Sequence, residues 1–255
     1  MHAEVWIETY LFLGAPLRKD HRPYLIKRLY LSIQRFYTDH FLRPQFEYLG
    51  KGHTFMQPRH VELFGAPIEL GDYATVIATP DNKIRLSVWC DGAIQGHIRV
   101  GKYGLICPGV RISSASGVDI GDNCMLASRV YITDSDWHDI YNRLAFGKTD
   151  PIRIEDNVWI GDSAIVCKGV TIGENSIIGA GAVVLSSIPS NVIAAGNPAK
   201  VVKRLDPAQK ITPRAQWFSD PDKLFSDIDI LDRAMLKGNT VRNWVRYLIF
   251  PTQSD

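Results

Sequence analysis

The chain has 255 residues, of which 45% are hydrophobic and 22% charged, and its formal net charge is +2. This length and composition are sufficient for a sizeable core and favour one main domain with appendages. A net charge near zero gives no electrostatic reason to expect nucleic-acid binding, and no apolar run reaches the roughly 18–20 residues that a membrane span needs.

The first region, residues 1–60, lacks any repeat and is predicted to be partly helical. Apolar, aromatic and basic residues alternate at helical spacing from Arg22 to Phe41. We expect this helix to pack on the following domain or on a neighbouring subunit. A membrane-surface helix is the alternative, which interspersed polar residues disfavour. Glu4 and Glu8, without an early basic cluster, argue against a signal peptide and favour a cytoplasmic location.

A step of six residues dominates the middle of the chain. One series of branched anchors contains Ile154, Ile160, Val166, Ile172, Ile178 and Val184. Earlier series contain Val100, Ile106, Ile112 and Val118, and then Ile120, Leu126 and Ile132, displaced by two residues at SASGVDIGDN. A step of six fits neither a helix nor a simple amphipathic hairpin. It predicts an all-β domain, a parallel β-helix over residues 61–205, with a widened corner at the displacement.

The last region, residues 206–255, changes to helical periodicity. Asp220-Pro221 is a suitable helix start, and a second apolar stripe begins at Val241 after Gly238-Asn239. We expect two helices that cap or cross the open end of the coil stack, because an exposed terminal coil invites further strand pairing.

One long loop interrupts the repeat between Ile132 and Ile154. It reads TDSDWHDIYNRLAFGKTDP and contains His138, flanked by Asp134, Asp136 and Asp139. Loops that project from a regular scaffold often carry function. A histidine that titrates near neutral pH can take a proton from an alcohol or amine. A carboxylate or a backbone carbonyl on the other ring nitrogen would fix the tautomer, and the spacing does not decide between Asp136 and Asp139.

A family resemblance lies in residues 158–205, which read VWIGDSAIVCKGVTIGENSIIGAGAVVLSSIPSNVIAAGNPAKVVKRL. This segment resembles the C-terminal signature of the hexapeptide-repeat acyltransferases, the family of the maltose, galactoside and Nod-factor O-acetyltransferases. The loop TDSDWHD resembles the segment that carries their catalytic histidine, and the strong match covers about residues 98–205. The resemblance implies a left-handed β-helix, a homotrimer, an acetyl-CoA cleft between adjacent subunits, and His138 as the general base.

The same resemblance implies a set of residues near the pantetheine and adenine of the cofactor: Trp159, Gly161, Ala180, Lys200 and Lys203. Small residues would let the cofactor amides approach the coil backbone, and the lysines would meet its phosphates as point charges. The chain has Leu185-Ser186 where sugar acetyltransferases often carry Thr-Lys, so cofactor contacts at those two positions are not carried over.

These observations predict an acyl-CoA-dependent O-acetyltransferase that acts on a hydroxyl of a sugar or polysaccharide precursor, with acetyl-CoA as acyl donor and no metal. Trp137 and Tyr141 would stack on a pyranose ring or cover the core. A non-catalytic assembly subunit and a γ-type carbonic anhydrase-like metalloenzyme are the alternatives on the same fold. The metalloenzyme needs three histidines around zinc, and neither His97 nor His138 has a second histidine within five residues.

Overall fold

The computed structural model describes residues 20–90 and 95–252. Within these residues, three sheets form the flat sides of a coil, and each of the first six turns contributes one parallel strand to each sheet. Sheet A contains β1 (Tyr48–Leu49), β4 (Ile68–Leu70), β7 (Ile98–Val100), β10 (Val118–Ile120), β13 (Ile152–Ile154) and β16 (Thr171–Ile172). Sheet B contains β2 (Thr54–Met56), β5 (Thr75–Ile77), β8 (Leu105–Ile106), β11 (Met125–Leu126), β14 (Trp159–Ile160), β17 (Ile177–Ile178), β19 (Val192–Ala195) and the antiparallel β20 (Lys200–Arg204). Sheet C contains β3 (Val61–Phe64), β6 (Ile84–Val88), β9 (Arg111–Ser114), β12 (Tyr131–Thr133), β15 (Ile165–Val166) and β18 (Val183–Val184).

The six-step anchors form three buried columns, one behind each sheet. Ile154 pairs with Ile172 in sheet A, Ile160 with Ile178 in sheet B, and Val166 with Val184 in sheet C. All six side chains are fully buried, and each such burial contributes about 1.5–3 kcal/mol relative to an exposed side chain. The predicted parallel β-helix is therefore confirmed.

Asparagines stack at one corner of the coil. Asn157, Asn175 and Asn191 have φ values of 58°, 59° and 60°, a left-handed conformation that asparagine tolerates better than most residues. The side-chain amide of Asn157 donates to Asn175 Oδ1 at 2.9 Å, and that of Asn175 donates to Asn191 Oδ1 at 3.0 Å. This asparagine ladder ties the last three turns together along the coil axis.

Insertions into the repeat do not change the register of the sheets, because the inserted residues project outward at corners of the coil. Ile154 pairs with Ile172, 18 positions later, in a coil without insertion. Val100 nevertheless pairs with Ile120, across the displaced segment, and Ile120 pairs with Ile154, across the long loop. The strand ladder thus carries the His138 loop as an outward insertion between β12 and β13.

The coil stack begins earlier than the predicted boundary at residue 61. β1 already pairs with β4, and β2 pairs with β5. Leu49, Phe55 and Val61 continue the six-step series and are buried, but the series includes a phenylalanine, which no anchor of the predicted series is. Leu42 and Phe46 join the same core cluster at the start of the stack, where larger side chains fill the end of the coil.

One helix lies within the predicted helical segment from Arg22 to Phe41. Helix α1 spans Tyr24–Tyr37 and continues into a π-helical turn, Thr38–Leu42, and a 3₁₀ turn, Arg43–Gln45. Residues 34–218 form one compact unit that contains the β-helix.

Residues 206–218 belong to this β-helix unit and not to a separate helical region that starts at residue 206. Arg214 Nε donates to the Tyr103 carbonyl at 2.8 Å, and the Ala215 amide donates to Asn123 Oδ1 at 2.7 Å. Phe218 packs on the rings of Tyr73 and Tyr103. These contacts with residues of the coil therefore place residues 206–218 in the β-helix unit, which ends at residue 218.

A second compact unit contains the described parts of residues 1–33 and 219–255. Its helices α2 and α3 span Pro221–Met235 and Val241–Ile249. The Asp220 side chain accepts a hydrogen bond from the Lys223 amide at 3.0 Å and caps α2, as the Asp-Pro start predicts. The expectation that these helices cap the coil stack stays a prediction. In the described part of the chain, no helix has both the length and the apolarity that a membrane crossing requires.

Candidate active site

The loop that carries His138 is closed by its own backbone. The Asp150 amide donates to the Asp134 carbonyl at 3.0 Å, and Ser135 forms an antiparallel bridge with Thr149. The Asp136 amide donates to the Lys148 carbonyl at 3.1 Å. These contacts hold the two ends of the loop side by side above β12, so His138 projects from a fixed base.

The imidazole of His138 is exposed, and one of its nitrogens has a backbone partner. Nδ1 lies 2.9 Å from the carbonyl oxygen of Arg143. A carbonyl oxygen only accepts, so Nδ1 must carry a proton and donate it, and in the neutral imidazole the lone pair then lies on Nε2. The orienting group is therefore a backbone carbonyl, and neither of the two candidate carboxylates takes this role.

The two neighbouring carboxylates shape the loop instead. Asp139 Oδ1 accepts hydrogen bonds from the amides of Tyr141 and Asn142 at 2.9 and 2.8 Å. These amides hold the pKa of the Asp139 carboxyl below its usual range. Asp136 Oδ1 lies 2.6 Å from Lys168 Nζ, which attaches the loop to the next turn of the coil.

Asp134 fills the widened corner that follows β9. Its carboxylate is fully buried and accepts bonds from five donors: Ser114 Oγ at 2.8 Å, Ala115 N at 2.7 Å, Ser116 N at 2.9 Å, Ser116 Oγ at 3.2 Å and Gly117 N at 2.6 Å. The sequence flagged Asp134 only as a neighbour of His138. A detectable signal was its position, one turn after Ser114 in the displaced segment, because Thr133 pairs with Ser113 in the same register.

The Trp137 side chain is held by contacts with residues at the end of β12, whereas Tyr141 extends into solvent. The Trp137 backbone has φ of 62°, its amide donates to Ser135 Oγ at 3.0 Å, and its Nε1 donates to Thr133 Oγ1 at 2.9 Å. Its ring meets that of Trp89 edge-on, with centroids 5.9 Å apart. Tyr141 is 91% exposed, so Trp137 is the aromatic ring that the fold positions beside His138.

The residues implied for the cofactor lie together on sheet B and its terminal hairpin. Trp159 pairs with Ile177, Ile177 with Ile193, and Ile193 with Lys203, so Trp159 and Lys203 share one row across the sheet. Lys200 pairs with Ala195 in the same hairpin. Both lysines are exposed and form no ion pair with any residue that the structure describes.

The corner after β14 leaves no space for a side chain at Gly161. A Cβ there would lie 2.7 Å from both Ala180 N and Ile178 O. A Cβ at Gly179 would lie 2.9 Å from Ala195 Cβ. The corner column thus consists of small residues because successive coils pack closely there, and the two lysines lie on the adjoining hairpin.

The structure does not bring His138 to this surface through any direct bond. The hydrogen bonds of the His138 imidazole and backbone amide stay within its own loop after sheet C, while the five implied cofactor residues lie on sheet B and its hairpin.

Across residues 20–90 and 95–252, no three His, Cys, Asp or Glu side chains converge to hold a metal ion. His97 instead pairs with Asp119, with Nε2 and Oδ2 3.1 Å apart.

Two family models match the coil. Residues 151–186 match the bacterial transferase hexapeptide model of six repeats, and residues 109–134 match the hexapeptide repeat of succinyl-transferase. Among solved structures, a point mutant of AntD, an N-acyltransferase from Bacillus cereus in complex with dTDP-4-amino-4,6-dideoxyglucose and coenzyme A, superposes with a TM-score of 0.55 at 19% identity. The superposition covers 74% of this chain and 96% of that one, and it concerns the fold.

Curated relatives share the same region of sequence. The galactoside O-acetyltransferase of Escherichia coli K12 is 41% identical over 96 residues, which are 36% of this chain and 47% of the relative. WbbJ of E. coli K12, provisionally named a lipopolysaccharide biosynthesis O-acetyl transferase, is 30% identical over 151 residues, which are 52% of this chain and 71% of WbbJ. The chain spans about half the length, or less, of the first curated relatives that it matches.

Proposed function

Since this chain belongs to the hexapeptide-repeat transferases, a family built on the left-handed β-helix, we propose that it is an acyl-CoA-dependent O-acetyltransferase. Its acceptor is a hydroxyl group of a sugar or a polysaccharide precursor, and its acyl donor is acetyl-CoA. The galactoside and lipopolysaccharide names of the relatives support a carbohydrate acceptor. A cytoplasmic location stays a prediction.

The observation that carries this proposal is the hydrogen bond from His138 Nδ1 to the Arg143 carbonyl. It selects the neutral tautomer in which Nε2 has the lone pair that a general base needs, and His138 is exposed. In the proposed reaction, Nε2 takes the proton from the acceptor hydroxyl as its oxygen attacks the acyl carbon. The bond between the acyl carbon and the thioester sulfur would then break, coenzyme A would leave as the thiolate, and His138 would pass the proton to that sulfur.

The donor surface is proposed at the small-residue corner of sheet B. Gly161 and Ala180 would let the pantetheine amides approach the backbone, and Trp159 would lie beside the chain. Lys200 and Lys203 would attract the phosphates. Coenzyme A in the AntD complex is consistent with such a donor in this fold.

A homotrimer is part of the proposal. His138 lies on a loop after sheet C, and the implied donor residues lie on sheet B. In a three-fold assembly, the loop of one subunit would face the donor surface of the next, so that both parts of the site meet at the interface. Light scattering that finds an active monomer at micromolar concentration would contradict this assembly.

Two measurements test the function together. Calorimetry with coenzyme A should show binding by the wild type and by His138→Ala alike. Turnover of acetyl-CoA with maltose and methyl galactosides should fall about 10²- to 10⁴-fold in His138→Ala. His60→Ala, outside the loop, is the control and should keep wild-type turnover.

The outcomes separate the alternatives. No coenzyme A binding by the wild type would reject the enzyme and favour the non-catalytic assembly subunit. Binding with undiminished turnover in His138→Ala would reject the general-base mechanism while leaving the acyltransferase activity intact.

A further inference from the structure

Helix α1 presents an apolar stripe that no described residue covers. Leu25, Leu29, Ile33 and Phe36 recur at steps of three or four and therefore share one face of the helix. Each is more than half exposed, and none of the residues of α1 is buried. Such a contiguous apolar surface on a folded protein usually marks a binding site.

The opposite side of α1 is occupied by α2. Tyr24 Oη donates to Asp229 Oδ1 at 2.5 Å, and Lys27 Nζ lies 2.6 Å from Asp232 Oδ1. At 100° per residue, Lys27 lies about 160° around the helix from Leu29. The two acidic residues of α2 therefore hold the polar side of α1 and leave Leu25, Leu29 and Ile33 facing outward in the unit formed by the described parts of residues 1–33 and 219–255.

The cations of α1 border the stripe. Helix α1 contains Lys27, Arg28 and Arg35 and no acidic residue. Arg28 and Arg35 are exposed and form no ion pair with any part of the chain that the structure describes. Seven residues separate them, so they lie on the same side of the helix, next to the apolar face.

Helix α3 repeats this combination. Val241, Val245 and Leu248 are exposed on one face, Arg242 and Arg246 follow one flank of that face, and the helix contains no acidic residue. The His21 ring, just before α1, stacks on Tyr247 of α3 with centroids 4.3 Å apart. The chain just before α1 thus contacts α3 at Tyr247.

We propose that α1 and α3 dock the protein on the surface of an anionic lipid bilayer. Apolar side chains would enter the boundary between headgroups and acyl chains, and the arginines would meet the anionic headgroups. A second copy of the chain is a poorer occupant, because two such faces would bring like-charged arginines together. The docking is independent of the acyl-transfer proposal and needs no membrane-spanning helix.

The test is flotation of the full chain with two kinds of vesicle, phosphatidylcholine alone and phosphatidylcholine mixed with phosphatidylglycerol. The wild type should bind the mixed vesicles, and salt should weaken the binding. Arg28→Glu/Arg242→Glu should lower partitioning well over tenfold, since each cation near such a surface is worth roughly a fivefold change. Lys51→Glu/Lys210→Glu changes the net charge equally in the other unit and should have little effect.

A second pair of variants tests the contribution of apolar side chains to vesicle binding. Leu29 is 58% exposed on the stripe, and Ile230 is 60% exposed on the acidic helix α2. Leu29→Ser should lower partitioning by about tenfold or more, whereas Ile230→Ser should not. Equal binding to both kinds of vesicle, no binding, or equal losses in the control variants would overturn the proposal. So would a Leu29→Ser variant whose molar mass by light scattering drops, because the stripe would then be an interface between copies.

Discussion

Asp134→Ala removes one acceptor group that serves five donors at the widened corner. Three of those donors belong to buried residues: Ser114 Oγ, Ala115 N and Gly117 N. Each buried donor left without a partner costs about 1–3 kcal/mol. Some relaxation and entry of water would recover part of this, so we expect a loss of about 3–5 kcal/mol.

Thermal unfolding followed by circular dichroism measures this loss. One kcal/mol shifts Tm by about 2–4 °C in a domain of 150–250 residues, so Asp134→Ala should melt about 6–20 °C below the wild type. Asp119→Ala is the matched control in the same turn of the coil. Its half-exposed carboxylate pairs with His97 and Arg99, and surface pairs are worth at most about 1 kcal/mol.

The reasoning would be refuted by an Asp134→Ala variant that melts no lower than Asp119→Ala. Such a result would mean that the corner amides find water or other partners without cost. Loss of turnover without loss of Tm would instead mean that Asp134 acts on the His138 loop and not on the corner.

Three further outcomes are expected. Lys200→Ala should raise the KM for acetyl-CoA roughly two- to fivefold with little change in kcat, since an exposed phosphate contact stabilises ground and transition states alike; Lys51→Ala should change neither. Ile172→Asp should prevent folding of the β-helix, because it places an unpaired carboxylate at a fully buried position, while Thr171→Asp on the outer face should remain folded; a soluble, active Ile172→Asp variant would contradict the fold. Burial raises the pKa of the Cys124 thiol to about 12, so Cys124 should react with a thiol reagent at pH 8 only after unfolding, and rapid reaction in the native state would contradict this. The folded pKa of Cys124 lies above the unfolded value of about 9, so its stabilising contribution is complete below about pH 9 and is lost as the pH rises toward 12.

The repeat predicted the β-helix because each flat side of the coil buries one branched residue, and these residues recur every six positions in the sequence. The start of the stack was misplaced because Phe55 holds an anchor position with a residue type that none of the six-step series included. The boundary at residue 206 was also misplaced. Arg214 reaches Tyr103, a residue far away in sequence, and no local pattern indicates such a contact.

The site was predicted less completely than the fold. The break in the spacing indicated the loop, and its composition and the family resemblance made His138 the candidate base. Neither could indicate the partner of Nδ1, because a backbone carbonyl has no residue type of its own. Asp136 and Asp139 looked equally suitable in the sequence, and the loop conformation turned both toward other donors. The row of Trp159 and Lys203 depends on the β19–β20 hairpin, whose register the six-step pattern does not set.

The asparagine ladder and its regular turns create an ambiguity during folding. A strand of sheet A would find nearly the same anchor, corner and amide partner if it paired one turn too early or too late, because the coils from residue 154 onward are so alike. The corner filled by Asp134 breaks this equivalence, since a buried carboxylate suits one place where three backbone amides converge. A shift of one turn would leave both the carboxylate and those amides without partners, which penalises the shifted pairing. The irregular turn therefore fixes the register of strand pairing for the uniform turns that follow it.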